Sequence, residues 1–210
     1  MARASRIRAG RLKEGEMMTR KRESERLAAL SDGVFAVIMT LLVFELKPPH
    51  TASIQALVAL WPTAVSYAIS YLFIAIVWIN HHHLLQYATV ATSRLIWGNF
   101  AHLFTVSLMP FSTAWIAETE LAAIPVAFYA CVFVLVNATY LVLCFEAVDG
   151  PQGEGLPHRA QMMMRVRSLV TLGIFVAAAI VALKYPAGGM ALICLCLVVY
   201  FRPEAPGMKV

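Results

Sequence analysis

Long runs of apolar residues, separated by short polar segments, are the feature that most constrains how this chain folds. Of its 210 residues, 60% are hydrophobic and only 14% are charged, whereas a soluble domain carries about a quarter charged residues. Lipid is therefore the natural solvent, and the runs predict an all-α, polytopic membrane helical bundle. We expect six transmembrane helices at roughly 26–46, 54–79, 94–116, 123–147, 166–184 and 187–201.

Basic residues are concentrated before the first apolar run. Nine of the seventeen Lys and Arg residues precede residue 27. A basic arm is also typical of nucleic-acid binding, but a cytoplasmic membrane flank needs fewer assumptions because an apolar run follows at once. We therefore expect no nucleic-acid partner. The predicted domains are a basic cytoplasmic N-terminal arm, 1–25, a six-helix transmembrane domain, 26–201, and a cytoplasmic tail, 202–210.

The distribution of charge predicts the orientation of the bundle. With the N-terminus inside, the inner segments hold fifteen Lys and Arg residues and the outer turns hold only Lys47 and Lys184. This asymmetry predicts that both termini are cytoplasmic. The four Trp residues form two pairs, each ~26–27 Å apart along a helix, which matches the spacing of the two interfacial belts of a bilayer.

Asp32 places a carboxylate near the inner end of the first span. At that depth an unpaired carboxylate costs on the order of 2.5–3.5 kcal/mol. Ser31 and Asp32 are suited to cap a helix that begins there. The alternative is that Asp32 belongs to a polar network with Arg26 and with groups from other helices.

Beyond Asp32, a helical projection separates two faces of the first span. At about 100° per residue, Asp32 projects away from one narrow stripe, which we call the seam. The seam consists of Val37, Thr40, Leu41 and Phe44. Ordinary helix packing uses stripes of this kind, so periodicity alone favours packing over any other role.

The second span ends in the run Trp78-Ile-Asn80-His81-His82-His83. Three adjacent histidines suggest a metal site, but neighbours on a helix point about 100° apart and no Glu follows at H-E-x-x-H spacing. Hydrogen bonds from a histidine to Asp32 or to another helix are favoured. We expect no metal and no cofactor. Because Gly-x-Ser-x-Gly, Walker and paired-carboxylate motifs are missing, we expect no catalytic residue and no enzyme.

The third span carries polar groups and a helix breaker. Asn99 and His102 are three residues apart and share a face. Pro110 removes a backbone hydrogen bond from an otherwise apolar helix, which predicts a kink or a loosened turn just before it.

Two of these stretches closely resemble the motifs of a known family. Arg26-Leu-Ala-Ala-Leu30-Ser31-Asp32 resembles the R-x-x-x-F-S-D signature of the first helix in the transmembrane-protein-175 potassium channels, with Leu30 in place of Phe. Trp78-Ile-Asn80-His81-His82 is similar to that family's W-x-N-H-H stretch, and Pro110-Phe111 has a similar place in span three. The similarity runs from about residue 22 to 120.

The resemblance implies a potassium-selective channel with K+ as the permeant ion and a pore lined by the first helix of each subunit. It implies a homotetramer in the plasma membrane of a prokaryote, without a carbonyl filter. Val37 then stands at the hydrophobic constriction, although it is smaller than the usual Ile or Leu. Thr40 is the selectivity-related hydroxyl, and Leu41 and Phe44 continue the constricted pore wall. The residues expected to brace the pore helix are Arg26, Ser31, Asp32, Asn80, His81 and His82.

Two other functions remain open at this point. Asp32, the histidines and the Pro110 break are also compatible with a proton-coupled secondary transporter. A membrane scaffold without transport is a third class, in which the basic arm binds a partner or anionic lipid.

Overall fold

The computed structural model describes residues 2–88, 90–148 and 158–200. These residues form eight α-helices and one 3-10 turn, which confirms the all-α prediction. In chain order the elements are α1 (Ala2–Leu42), the 3-10 turn (Val43–Glu45), α2 (Ile54–Ala59), α3 (Trp61–Gln86), α4 (Ser93–Ser107), α5 (Met109–Glu118), α6 (Ala123–Val148), α7 (His158–Ala182) and α8 (Pro186–Tyr200).

Five stretches of the described residues are long and apolar enough to cross a membrane, each on a predicted span. They are Arg22–Glu45, Trp61–Gln86, Ser93–Glu118, Ala123–Ala147 and Gln161–Ala182. A shorter apolar helix, Pro186–Leu197, lies on the sixth run. A bilayer crossing takes about 20 residues, and α8 has 15. The polytopic helical bundle is therefore confirmed, and the number of six crossings stays a prediction.

Several boundaries differ from the predicted ones: α7, for example, starts at His158, before the predicted start at 166. The predicted arm and first span form one helix, because α1 starts at Ala2 and has 41 residues. At 1.5 Å per residue it is ~62 Å long, about twice the ~30 Å of hydrocarbon. The second span starts later than expected, because Pro62 in the first turn of α3 suits a new helix start. It also ends later, at Gln86. The predicted tail, 202–210, lies outside the described residues.

The third span is broken where Pro110 predicts it. Helix α4 ends at Ser107, and α5 begins at Met109 with Pro110 in its first turn. Leu108 caps both helices, and its N–H donates to the carbonyl of Thr105. The predicted kink is therefore confirmed.

Two polar contacts show which helix ends lie together. The Ser24 hydroxyl donates to the Ala88 carbonyl, which joins the start of the apolar part of α1 to the end of α3. At the other end, Lys47 pairs with Glu118, the last residue of α5. Following the predicted orientation, we call the Ser24 end the inner end and the Lys47 end the outer end.

An aromatic group at the centre of the buried core lies between α3, α6 and α7. Phe73 and Phe133 meet edge to face, and Phe133 stacks on Phe175 with ring centroids 5.0 Å apart. The α7–α8 hairpin is tightly packed at Gly189, where an added Cβ would lie 2.6 Å from the Cβ of Ala182. Helix α1 packs against α3, α4 and α5 on one side of this core.

Candidate functional site on the first helix

Helix α1 has one buried face and one open face within the subunit. The buried face packs into the core through five residues: Leu27, Ser31, Phe35, Ile38 and Leu42. The seam lies on the other side. Val37 is 55% exposed, Leu41 47% and Phe44 73%. The described residues of the subunit thus leave about half or more of each of these large apolar side chains uncovered, as at an interaction surface or a lipid-facing surface.

Thr40 adds one polar group to this open face. Its side chain is exposed, and its hydroxyl donates to the Val37 carbonyl over 2.8 Å. A hydroxyl has one proton and two lone pairs. Because the proton is used within the helix, the oxygen of Thr40 is left as an acceptor on the open face.

Phe44 follows α1 in a different backbone geometry. It lies in the 3-10 turn rather than in the α-helix that the projection assumes. A 3-10 turn advances about 120° per residue instead of about 100°, so Phe44 rotates by about 40° relative to the projected position. That rotation brings it towards Leu41 and keeps it on the seam side.

A chain of buried hydrogen bonds ties the inner end of α1 to α4 and α3. The Ser31 hydroxyl donates to the Leu27 carbonyl over 2.9 Å. Since its single proton is used there, Ser31 accepts from the amide nitrogen of Asn99, also at 2.9 Å. The amide oxygen of Asn99 then faces Nε2 of His81 at 2.7 Å. All three side chains are fully buried.

These contacts fix the tautomer of His81. An oxygen acceptor at Asn99 requires a donor at Nε2, so the neutral ring holds its proton there. Nδ1 is then a bare acceptor, and within the described residues no donor reaches it. Interhelical hydrogen bonds of this type each contribute about 0.6 kcal/mol, and up to about 1.7 kcal/mol, in membrane proteins.

A second histidine extends the buried group towards α6. His102 stacks on His81 with ring centroids 5.3 Å apart and planes within 5°. Nδ1 of His102 lies 3.0 Å from the hydroxyl of Thr139, which itself donates to the Leu135 carbonyl. Phe35 of α1 contacts both rings. The two histidines thereby connect the buried face of α1 to α3, α4 and α6.

Asp32 is held by a separate pair of contacts to α3. The indole Nε1–H of Trp78 donates to Oδ1 over 2.8 Å, and Nδ1 of His82 lies 3.3 Å from Oδ2. Both members of the His82–Asp32 pair are about one-third exposed. The carboxylate is therefore partnered, which offsets the cost of placing it at this depth.

Four of the six residues expected to brace the helix make contacts between helices, in two separate groups, and two do not. Ser31, Asp32, His81 and His82 make the contacts above. Arg26 is exposed, and the structure places Asn80 on the wall of a small cavity between α3, α6 and α7. We call the two groups of contacts together the brace; its members are Ser31, Asp32, Trp78, His81, His82, Asn99 and His102. Sequence reasoning assigned no role in the brace to Trp78, Asn99 and His102.

At the outer end, the described part of the chain forms one ion pair. Nζ of Lys47 lies 2.6 Å from Oε1 of Glu118, and the two side chains are 70% and 62% exposed. The hydrogen bond to Glu118, with the attraction of its charge, raises the pKa of Lys47 above its ordinary value. Lys47 is thereby tied to α5, while Glu45 is half-exposed near the seam.

The fold and the site together define a polytopic α-helical membrane protein whose first helix is braced on one face and open on the other. A family model for the endosomal/lysosomal potassium channel TMEM175 matches residues 26–110. A protein named as a potassium channel, from Chryseobacterium sp. (strain P1-3), is 30% identical over 179 residues, which cover 85% of this chain and 93% of the relative. The chain therefore belongs to the TMEM175 family.

Two further comparisons agree with this assignment. A potassium channel from Streptomyces collinus (strain DSM 40733 / Tue 365) is 39% identical over 100 residues, 46% of this chain and 48% of that protein. The crystal structure of a lysosomal potassium-selective channel TMEM175 homolog from Chamaesiphon minutus has the same fold, with a TM-score of 0.78 and 23% identity. That match covers 86% of this chain and 97% of the other. Because the family is a channel family, the prediction that the chain is not an enzyme is confirmed.

Proposed function

We propose that this chain is a potassium channel in which four copies place the seam of α1 around a central pore. The observation that carries the proposal is the open face of α1, where Val37, Leu41 and Phe44 are apolar and exposed. Relatives named as potassium channels support the choice of ion. The proposal includes N-in/C-in topology in the plasma membrane of a prokaryote.

In this arrangement Val37, Leu41 and Phe44 form stacked apolar rings. Narrow apolar rings exclude water and so act as a gate or a constriction. Between the first two lies a ring of four Thr40 hydroxyls, whose lone pairs face away from the helix that takes their protons. These oxygens are suited to replace part of the hydration shell of a cation, in place of a filter of backbone carbonyls.

The brace has a mechanical role in this proposal. A helix that lines a pore contacts its own subunit on one face only, so that face must fix its rotation. Ser31 bonds to α4 and Asp32 to α3, in two different directions. With both contacts made, the seam is directed away from the subunit core.

Ion flux in liposomes tests the proposal directly. We expect wild-type protein to pass K+ in preference to Na+, Thr40→Val to lose much of this preference, and Val37→Ala to raise the flux by widening the first ring. Val170→Ala is the matched control, because Val170 of α7 is 56% exposed, like Val37 at 55%. Unchanged flux and selectivity in both seam variants would refute the pore assignment.

The same experiment separates a channel from a proton-coupled transporter. A channel gives a flux that rises with the driving force without saturating. Saturable flux that is coupled to protons and abolished in Asp32→Asn would instead support the transporter. Absence of flux at every potential would support a scaffold.

A further inference from the structure

The open face of α1 does not begin at Val37 but continues towards the inner end. Helix α1 is unbroken from Ala2 to Leu42, so one helical projection covers the seam and the turns before it. Three residues of these turns project within about 40° of the first seam residue at about 100° per residue; they are Arg26, Leu30 and Gly33. All three are exposed, and an added Cβ at Gly33 would meet no described atom within 4 Å. The open face therefore extends inward for about three turns beyond the seam.

The direction of Arg26 is fixed by a contact next to it. The Ser24 side chain is buried, and its hydroxyl donates to the Ala88 carbonyl near the end of α3. Two residues further along an α-helix, a side chain points about 160° away, so Arg26 is directed away from the subunit. In agreement, Arg26 is exposed, and no carboxylate of the described residues forms an ion pair with it. Its positive charge is thus unpaired within the described part of the subunit.

The neighbouring charges leave the inner part of this face positive. Arg22 and Glu23 are also exposed, and both project within about 60° of Val37. Together with Arg26 they supply two positive charges and one negative charge, so each subunit has an excess of one positive charge here. Glu25 is exposed as well, but it projects about 120° from Val37, onto the flank of the helix. Copies of α1 around an axis would therefore surround it with positive charge at this level.

We propose that Arg26 lines the inner mouth of the pore and that its charge reduces the entry of K+ from the inner end. The proposal rests on the proposed function, because only an axial arrangement of α1 places these side chains around one passage. Arg26 lies ~16 Å before Val37 along the helix, so it does not act at the constriction. It lowers the cation concentration at the mouth instead, because a charged cleft focuses the electric field. Arg26 thereby has a role although it lies outside the brace.

Salt gives this effect a signature that a structural role lacks. The distance over which a charge acts falls from ~10 Å in 0.1 M salt to ~3 Å in 1 M salt. The effect of Arg26 on K+ entry should therefore be large in dilute KCl and nearly absent in concentrated KCl. Glu23 provides a second signature, because its charge lies on the same face and has the opposite sign.

Single-channel currents in inside-out patches from cells that express the full chain test the proposal. In about 0.1 M KCl, where screening is weak, we expect Arg26→Gln to raise the outward K+ current and to change the inward current less. The expected rise is about twofold or more, as for other charged clefts. Glu23→Gln should lower the outward current. In about 1 M KCl both changes should disappear.

Two matched controls remove the same charges from other positions near the inner end. Glu25→Gln acts on the flank of the same helix, and Arg94→Gln removes an exposed Arg from the first turn of α4. Both variants should leave the ratio of outward to inward current unchanged. The wild-type protein supplies a measurement that needs no variant, because this ratio should rise as KCl increases from about 0.1 to 1 M.

The outcomes separate this proposal from the proposed function. Equal effects of Arg26→Gln and Arg94→Gln, or a wild-type current ratio that does not depend on salt, would overturn the role of Arg26. Currents that still respond to Val37→Ala would in that case leave the pore assignment intact. Absence of any K+ current in the wild type would overturn both.

Discussion

Removing one residue from the buried hydrogen-bond chain of α1 is expected to destabilise the bundle as much as removing two. In Asn99→Leu, the Nε2–H of His81 loses its acceptor, and Ser31 loses a donor. An orphaned buried donor costs about 1–3 kcal/mol, and the two lost interhelical bonds add about 0.6 kcal/mol each. We therefore expect the free energy of unfolding to fall by about 2–4 kcal/mol.

Replacing the other partner, His81, has a similar cost, because it orphans the acceptor instead of the donor. In His81→Phe the ring shape is kept, but the amide oxygen of Asn99 loses its donor, and the expected loss is again about 2–3 kcal/mol. The double variant removes donor and acceptor together, so neither substitution leaves an orphaned partner in the other residue, although Ser31 still lacks the donor that Asn99 supplied. The double variant should thus be about as stable as either single one, with a coupling energy of about 2 kcal/mol.

Equilibrium unfolding in mixed micelles of a mild detergent and dodecyl sulfate measures these free energies. His83→Phe is the control, because His83 lies in the same run of α3 but is partly exposed, and a change of less than about 0.5 kcal/mol is expected. If the losses in Asn99→Leu and His81→Phe add up in the double variant, the two side chains do not depend on each other and the reasoning is refuted.

Three further predictions concern packing, charge and tautomer. Gly189→Ala should lower the free energy of unfolding by about 1–3 kcal/mol, because the new Cβ meets Ala182 and the backbone at 2.6–3.0 Å. Gly173→Ala is the control and should not lower it, because Gly173 has open space around it. Thermal unfolding in detergent compares the two variants. Lys47→Met should barely change the melting temperature at neutral pH, because the pair with Glu118 is exposed. Since the pKa of Lys47 is raised, any stability that the pair contributes is present below pH ~10.4 and is lost as the pH rises through the raised pKa. Melting curves over a pH series test this, and a strongly destabilised variant would contradict it. Solid-state nitrogen NMR should find His81 protonated at Nε2 and bare at Nδ1; the opposite tautomer would contradict the direction of the hydrogen-bond chain.

Much of this architecture follows from the sequence, because lipid imposes a simple rule on apolar runs. Each long run becomes a helix, since the backbone has no other partner in hydrocarbon. Pro110 breaks its helix for the local reason expected of proline. Asp32 and His82 meet because a carboxylate and a polar ring in apolar helices each need a partner.

The brace residues that the sequence does not predict show the limit of reasoning from one sequence. The sequence places Trp78 in an interfacial belt but does not identify the acceptor of its indole N–H. The pairing with Asp32 depends on how α1 and α3 pack. Asn99 and His102 share a face that the sequence shows, but their partners lie 18 to 68 residues away. Such pairings depend on tertiary packing, which a helical projection of one segment does not contain.

The role of the seam likewise cannot be decided from the sequence pattern alone. Periodicity identifies Val37, Thr40 and Leu41 as one face, but a face that packs and a face that lines a pore have the same spacing. In the subunit, it is the opposite face of α1 that packs: Ser31 and Phe35 lie in the core, and the seam therefore faces away from it. A rotation of α1 by one residue, about 100°, would move Ser31 away from Asn99 and carry the seam towards the histidines. Polar contacts at the inner end of α1 therefore set the rotation of the helix. The direction of the seam depends on this rotation, although the seam lies one to three turns further along. Substitutions in the brace should for that reason alter the proposed pore without touching it.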